Sequence, residues 1–266
     1  MTPEEEVNFA AKLHYSFLPD DLDNEHLDIA AKTIPYREIG GDYFAIMPIL
    51  DSHTMVCYCD VTGHSVISAL LAARVNTYIT THMEPGINPC ELIEGLNEYL
   101  CKHISNTGTF TSYGSLLISH NTNEIIFGGA ALPPVLHYNS ANKTVETLKA
   151  ETIFLGAIHP LPVPCITHTR KIDAGDKIIL CTDGIIEVEN GDREMWGLER
   201  LIETVENYHQ LPSIKLNDMI LQSLNEYSNN QFNDDLTLIS ISIKQPEKII
   251  TNQILFPVLM VIRYSS

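Results

Sequence analysis

The most constraining stretch of this chain is Met55-Val-Cys-Tyr-Cys-Asp60-Val-Thr-Gly63-His64. From Met55 to Cys59 the side chains are apolar at both parities, and the run stops at an aspartate. A strand with one wet face alternates apolar and polar residues, so this pattern predicts a strand covered on both faces. The same design returns at Ile178-Ile-Leu-Cys-Thr-Asp183-Gly184. A third acidic pair, Asp234-Asp235, opens the apolar run Leu236 to Ile243. Three buried strands therefore deliver carboxylates to their ends. Converging carboxylates repel each other and are costly to desolvate unless a cation neutralises them. The pattern points to a hard-metal site made of aspartates far apart in sequence.

Charge narrows the partners. The chain carries 16 Lys plus Arg against 34 Asp plus Glu, a formal charge of −18. Phosphate backbones and anionic membranes are repelled by such a surface, which argues against nucleic-acid and membrane binding. Met1, Pro3 and the glutamates after it make no signal peptide, and the late apolar run Ile254 to Ile262 is too short to span a bilayer. Cys57, Cys59, Cys90, Cys101, Cys165 and Cys181 form no Cys-x-x-Cys pair. They read as free thiols in a reducing compartment, and the expected location is the cytoplasm.

In chain order, Thr2-Pro3-Glu4-Glu5 is a capping box with proline at the first helical position. The helix it starts carries Val7, Ala10 or Ala11, His14 and Phe17 at roughly heptad spacing and stops at Pro19. Residues 1–19 have two readings: a helix packed on the core, or the end of a longer coupling helix to an upstream sensor or a dimer partner. Strands are expected at Leu27 to Ile34, Asp42 to Leu50 and Thr54 to Asp60, the last two as a hairpin. Ser65 caps a helix to about Thr81 with Ile67, Leu71, Val75 and Tyr78 inward. A second helix runs from Pro89 to Ile104 on Leu92, Leu96 and Leu100. Phe110 to Ser119, Glu124 to Gly128 and Val135 to Tyr138 read as successive antiparallel strands, and Ala150 to Thr169 as irregular. Helices follow near Leu198 to Tyr208 and Ser213 to Asn229, before the last strand. Strands on tight turns with helix pairs inserted between them indicate an α+β fold with antiparallel sheets. Residues 20–244 read as one domain. Residues 245–266 are an apolar tail that the pattern leaves without a role.

Six stretches, in order, resemble the metal-dependent PPM (protein phosphatase 2C-like) serine/threonine phosphatases, in the branch of the stage II sporulation and sigma-regulator phosphatases. Phe17-Leu-Pro19 is similar to that branch's helix-ending Leu-Pro. Gly40-Gly41-Asp42-Tyr-Phe44 resembles its Gly-Gly-Asp-aromatic motif, and Asp60-Val-Thr-Gly63-His64 its Asp-Val-Ser-Gly-His. Thr182-Asp183-Gly184-Ile-Ile-Glu187, Trp196-Gly197-Leu-Glu-Arg200-Leu201 and Asn233-Asp234-Asp235-Leu-Thr237 resemble the motifs that close the domain. The resemblance covers residues 12 to 244. Ala45 replaces a frequent second aspartate, Ser65 a glycine, and Ala130-Ala-Leu-Pro-Pro134 an Ala-Gly-His-Pro-Pro.

The resemblance implies an α-β-β-α sandwich of two stacked antiparallel sheets flanked by helices. It also implies hydrolysis of phosphoserine or phosphothreonine on a regulatory partner protein, such as an anti-sigma-factor antagonist. The attacking water would be activated between two cations about 3.5–4 Å apart. Oxygen-only ligands suit Mn²⁺ or Mg²⁺. By the same resemblance Asp60 and Asp183 are catalytic, Asp60 bridges the ions, Asp42 and the Val61 carbonyl serve one, and Asp183 and Asp234 serve the other. Asp235 rivals Asp234. His64 is within sequence reach of a leaving oxygen, and Arg37 or Arg74 of a phosphate, but a loop or surface role fits each equally. The non-enzyme alternative is a weakly catalytic phosphoprotein-binding regulator, for which Ala45 and Ala131-Leu132 speak. A two-metal phosphodiesterase or nuclease is opposed by the charge.

Overall fold

The computed structural model describes residues 2–63, 65–104 and 108–244. His64 and the tail 245–266 lie outside them. Helix α1 (Pro3–Tyr15) begins with the expected capping box: Thr2 Oγ1 accepts the Glu5 N–H, and Glu5 reaches back to the Thr2 N–H. Four strands, β1 (Leu22–Asp23), β2 (Leu27–Ile34), β3 (Tyr43–Ile49) and β4 (His53–Cys59), precede the helix pair α2 (Val66–His82) and α3 (Pro89–Ile104), and β5 (Tyr113–Ser119) follows it. Then come β6 (Glu124–Ala130), β7 (Val135–Asn139), β8 (Thr144–Leu148), β9 (His168–Lys171) and β10 (Lys177–Cys181). The short α4 (Asp183–Ile186), α5 (Gly197–Tyr208), α6 (Ser213–Ser228) and β11 (Leu236–Ile243) complete the order.

The strands form two antiparallel sheets, β1-β2-β11-β10-β7-β8 and β3-β4-β5-β6-β9. Ile29, Ile239, Ile241, Val56, Tyr58, Leu116 and Phe127 belong to one buried cluster that fills the space between the sheets. The other parity of each sheet meets helices: α2 and α3 cover the five-stranded sheet and α5 and α6 the six-stranded one. That double cover is why β4, β10 and β11 carry apolar residues at both parities. Where hydroxyls replace them on β11, each is satisfied: Ser240 Oγ donates to Asn217 Oδ1 (2.6 Å), and Ser242 Oγ bonds Ser213 Oγ (2.7 Å).

Four expectations need correction. The third of the successive strands, β7, leaves its neighbours and pairs with β10 and β8 in the other sheet. The crossing runs through Ala131, at φ +52°, and Pro133-Pro134, whose rings deny ladder donors. Ile67 does not face inward: it is 64% exposed, and the buried stripe of α2 is Ser68, Ala69, Leu71, Ala72, Val75 and Ile79. Strands β8 and β9 were not expected; both lie at sheet edges with largely uncovered faces, so neither shows an apolar run. Finally, Cys90 and Cys165 are bonded as a disulfide, their Cα atoms 5.4 Å apart, while the other four cysteines are free. The partners are 75 residues apart and meet through the fold alone.

Candidate active site

Four aspartates come to one edge of the sandwich from four places. Asp42 is the residue before β3, and Asp60 the residue after β4. Asp183 opens α4 directly beyond β10, and Asp234 stands two residues before β11. Asp42 and Asp60 thus belong to the five-stranded sheet, and Asp183 and Asp234 to the six-stranded one.

Close approach of backbone shapes the Gly40-Gly41-Asp42 turn. A Cβ on Gly41 would lie 2.5 Å from the Val61 carbonyl oxygen, and one on Gly40 2.6 Å from Asp235 Oδ2. Neither position admits a side chain. Gly184 is required for the same reason and not for a sharp turn: its Cβ would lie 2.0 Å from the Asp235 carbonyl oxygen.

Each carboxylate is held from behind. Thr182 Oγ1 donates to Asp42 Oδ2 (2.9 Å) and accepts the Thr237 N–H (3.1 Å). Thr237 Oγ1 in turn bonds Thr33 Oγ1 (3.0 Å), so a line of hydroxyls across three strands backs Asp42. The other Asp42 oxygen, Oδ1, is buried and has no hydrogen-bond partner. The Asp60 main chain is pinned on both sides: its carbonyl accepts from Thr111 Oγ1 (2.7 Å) and the Ser112 N–H (2.9 Å), and its N–H donates to Ser112 Oγ (3.2 Å). Asp183 Oδ1 accepts the Gly184 N–H (3.0 Å), and Asp234 Oδ1 the Asp235 N–H (2.8 Å).

The electrostatics are those of crowded like charges. Burial, and then the charges of Asp183, Asp234 and Asp235, push Asp60 up to about 8 from 3.8. Burial and the Asp60 charge hold Asp42 well above the carboxylate range. Asp183 is raised by burial and by Asp234. Glu187, exposed one turn beyond Asp183, is raised by burial, Asp183 and Asp234 and marks the rim of the same field. Among the described residues no three His, Cys, Asp or Glu side chains already form a metal cage. The donors nevertheless fit hard divalent cations: they are oxygens, their ionisation is opposed for want of positive charge, and a buried Asp42 oxygen lacks a partner.

Sequence reasoning missed several supports. Helix α1 reaches the turn directly: His14 Nε2 donates to the Asp42 carbonyl (3.3 Å), and the Tyr15 hydroxyl accepts the Gly40 N–H (3.2 Å). Burial lowers the His14 pKa, and its Nδ1 is buried without a hydrogen-bond partner. Thr111 and Ser112 carry no motif that would have flagged them. Ala45, where the resemblance leads one to look for an aspartate, is buried in the core under α2 and α3. Arg74 is engaged elsewhere: its guanidinium lies over Tyr99 and donates to the Tyr99 hydroxyl (3.2 Å). Arg37 is exposed and lies over the Tyr36 ring.

The family model of stage II sporulation protein E (SpoIIE) matches residues 51–244, well over half of the chain. The chain belongs to the SpoIIE family. Membership makes it a metal-dependent protein serine/threonine phosphatase, a hydrolase of the PPM class. Among curated SpoIIE-like relatives, the phosphoserine phosphatase RsbU of Bacillus subtilis (strain 168) is 25% identical over 243 residues, which cover 90% of this chain and 70% of RsbU. Among solved structures, the SiaA-PP2C domain of Pseudomonas aeruginosa has a TM-score of 0.78 at 19% identity, covering 90% of this chain and 96% of that one. RsbX in complex with magnesium has a TM-score of 0.64 at 17% identity, covering 84% and 98%. These likenesses establish the stacked-sheet fold expected from the sequence. Among the described residues, no helix is long and apolar enough to cross a membrane.

Proposed function

We propose that this SpoIIE-family chain dephosphorylates a serine or threonine of a regulatory partner protein, an anti-sigma-factor antagonist in kind, at a centre that holds two Mn²⁺ or Mg²⁺ ions. Asp60 would bridge them, with Asp42 and the Val61 carbonyl on one side and Asp183 and Asp234 on the other. When bound, the ions supply Lewis acidity and a water acidic enough to ionise near neutral pH. The chain's own residues do the rest. Thr182 fixes one oxygen of Asp42 and leaves the other free for a ligand. Thr111 and Ser112 hold the Asp60 backbone, and with it the direction of its carboxylate. The observation that carries the assignment is the meeting of four aspartates from both sheets, with Asp60 driven to about 8 by burial and its neighbours.

The magnesium bound by the related RsbX and the oxygen-only donors support the choice of ions. A cytoplasmic setting belongs to the same proposal; four free cysteines favour it and the Cys90–Cys165 bond does not. Helix α1 is proposed as a coupling element for an upstream sensor or a second copy. Phe9 and Leu13 are exposed on it and Phe17 just beyond its end, while His14 and Tyr15 touch the Asp42 turn. The deciding experiment is phosphate release from p-nitrophenyl phosphate with and without Mn²⁺, with bis-p-nitrophenyl phosphate as control. Metal-dependent cleavage of the monoester alone supports the reading; no metal-dependent cleavage, or equal cleavage of the diester, refutes it.

A further inference from the structure

Asp235 follows a proposed ligand but is used differently. Approaching β11 the chain bends at Asn233 and Asp234, and Asp235 leads directly into the strand. Asp234 acts on Asp60 and Asp183. Asp235, whose charge also reaches Asp60, is 3% exposed and spends both oxygens on backbone donors. Its Oδ1 accepts the Tyr36 N–H (2.7 Å) and its Oδ2 the Gly41 N–H (2.7 Å). Amide donors at this distance from a buried carboxylate are charge-assisted and strong. The carboxylate fills the space that a Gly40 side chain would need, and the Asp235 carbonyl fills the space that a Gly184 side chain would need.

We propose that Asp235 is a positioning residue: its carboxylate clamps the Tyr36–Gly41 turn so that Asp42 is presented to the metal centre at a fixed offset from Asp234. The proposal rests on the assignment of Asp42 and Asp234 as ligands. One residue then sets the spacing of three ligand-bearing segments. Its side chain seats the turn before Asp42, its main chain abuts Gly184 beside Asp183, and its neighbour is Asp234. Both Asp235 oxygens are engaged by backbone N–H groups of the turn.

The test uses the full chain and two variants. Asp235→Asn keeps the size of the side chain but sets an NH₂ against one of the two N–H donors. Gly40→Ala forces the turn off an intact Asp235. Amide hydrogen exchange at Tyr36 and Gly41, measured in EDTA, reads the clamp without metal; titration calorimetry with Mn²⁺ reads its consequence. The expected result is at least tenfold faster exchange at both amides in Asp235→Asn and at least tenfold weaker Mn²⁺ binding in either variant. Activity at low Mn²⁺ should fall and largely recover as Mn²⁺ is raised, with KM little changed. The double variant should be no worse than the worse single one, because both break one contact. Unchanged exchange in Asp235→Asn overturns the clamp. Unchanged exchange with Mn²⁺ binding lost at every concentration would make Asp235 a ligand instead. If wild type binds no Mn²⁺, the metal assignment fails, while the exchange result still decides the clamp. If Asp235→Asn does not fold, Gly40→Ala alone decides: Mn²⁺ binding equal to wild type overturns the proposal.

Discussion

Replacing Asp60 by asparagine should destroy activity and stabilise the metal-free protein. The side chain keeps its size and loses its charge. Burial and the neighbouring carboxylates raise Asp60 from 3.8 to about 8 in the fold. Between these values the folded chain holds a proton that the unfolded chain releases, so metal-free stability falls as pH rises through this window. At about 1.4 kcal/mol per pH unit, the metal-free fold forgoes up to about 5 kcal/mol at pH 7.5. The carboxylates share their protons, and Asp60 keeps some contact with water, so about 2–3 kcal/mol is the expected gain for Asp60→Asn. For a chain of this size that is a rise of about 5–10 °C in melting temperature. Melting in EDTA at pH 5.5 and pH 8 is the assay. The gain should be largest at pH 8 and about half as large or less at pH 5.5. Adding Mn²⁺ should reverse the order, because wild type then gains the neutralising charge and the variant lacks the carboxylate proposed to bridge the ions. A variant that melts no higher than wild type at pH 8 without metal, or gains equally at both pH values, refutes crowded charge as the organising feature of the site.

Asp60→Ala should abolish Mn²⁺-dependent release of p-nitrophenol, and Asp42→Ala and Asp183→Ala should each weaken Mn²⁺ binding by calorimetry. Ala131→Gly should raise the urea midpoint by about 0.5–1 kcal/mol of stability, since Ala131 is held at φ +52° where glycine is unstrained. Burial alone would raise Asp176, but His137 Nε2 (2.8 Å) and the Ser140 and Asp173 N–H groups outweigh it and hold it below its usual value. Its contribution is therefore complete above pH 3.8 and lost as pH falls through the lower folded value. Asp176→Asn should cost about 2–4 kcal/mol at pH 7 and little at pH 2, by denaturant titration. Deleting residues 1–18 removes the His14 and Tyr15 contacts to the Asp42 turn and should weaken Mn²⁺ binding while the sandwich stays folded by circular dichroism. A chain ending at Gln245 should keep its metal-dependent turnover; loss of it would put the tail in the core.

Much of the fold was legible because the double helical cover leaves a plain trace. Runs such as Met55 to Cys59 and Ile178 to Cys181 are apolar at both parities, and each leads to an aspartate within two residues of its end. The acidic positions that gather at one edge could be read because acid at the end of a buried run is expensive and so stands out. What stayed hidden was set by tertiary contact. Ile67 and Leu70 are apolar yet point to water, so periodicity alone turned α2 to the wrong face. The step from one sheet to the other at Ala131 has no local signature. Asp234 and Asp235 are chemically identical in sequence; the Tyr36 and Gly41 N–H groups that Asp235 accepts are brought to it by the fold. Cys90 and Cys165 are likewise neighbours only after the irregular segment before β9 has folded back toward α3.

The division of the aspartates between the two sheets has a kinetic side. Asp42 and Asp60 are set by the β3–β4 hairpin, whose contacts are local. Asp183 and Asp234 are set by β10 and β11, and β11 must also find β2 from the far end of the chain. Such distant pairings close late in folding because they carry the greatest loop-closure cost. The two halves of the centre are expected to come together only past the folding barrier. An ion that needs both halves stabilises the native state and not the barrier that leads to it. Mn²⁺ should then leave the refolding rate nearly unchanged and slow unfolding, in the manner of a bolt fitted after the door has shut.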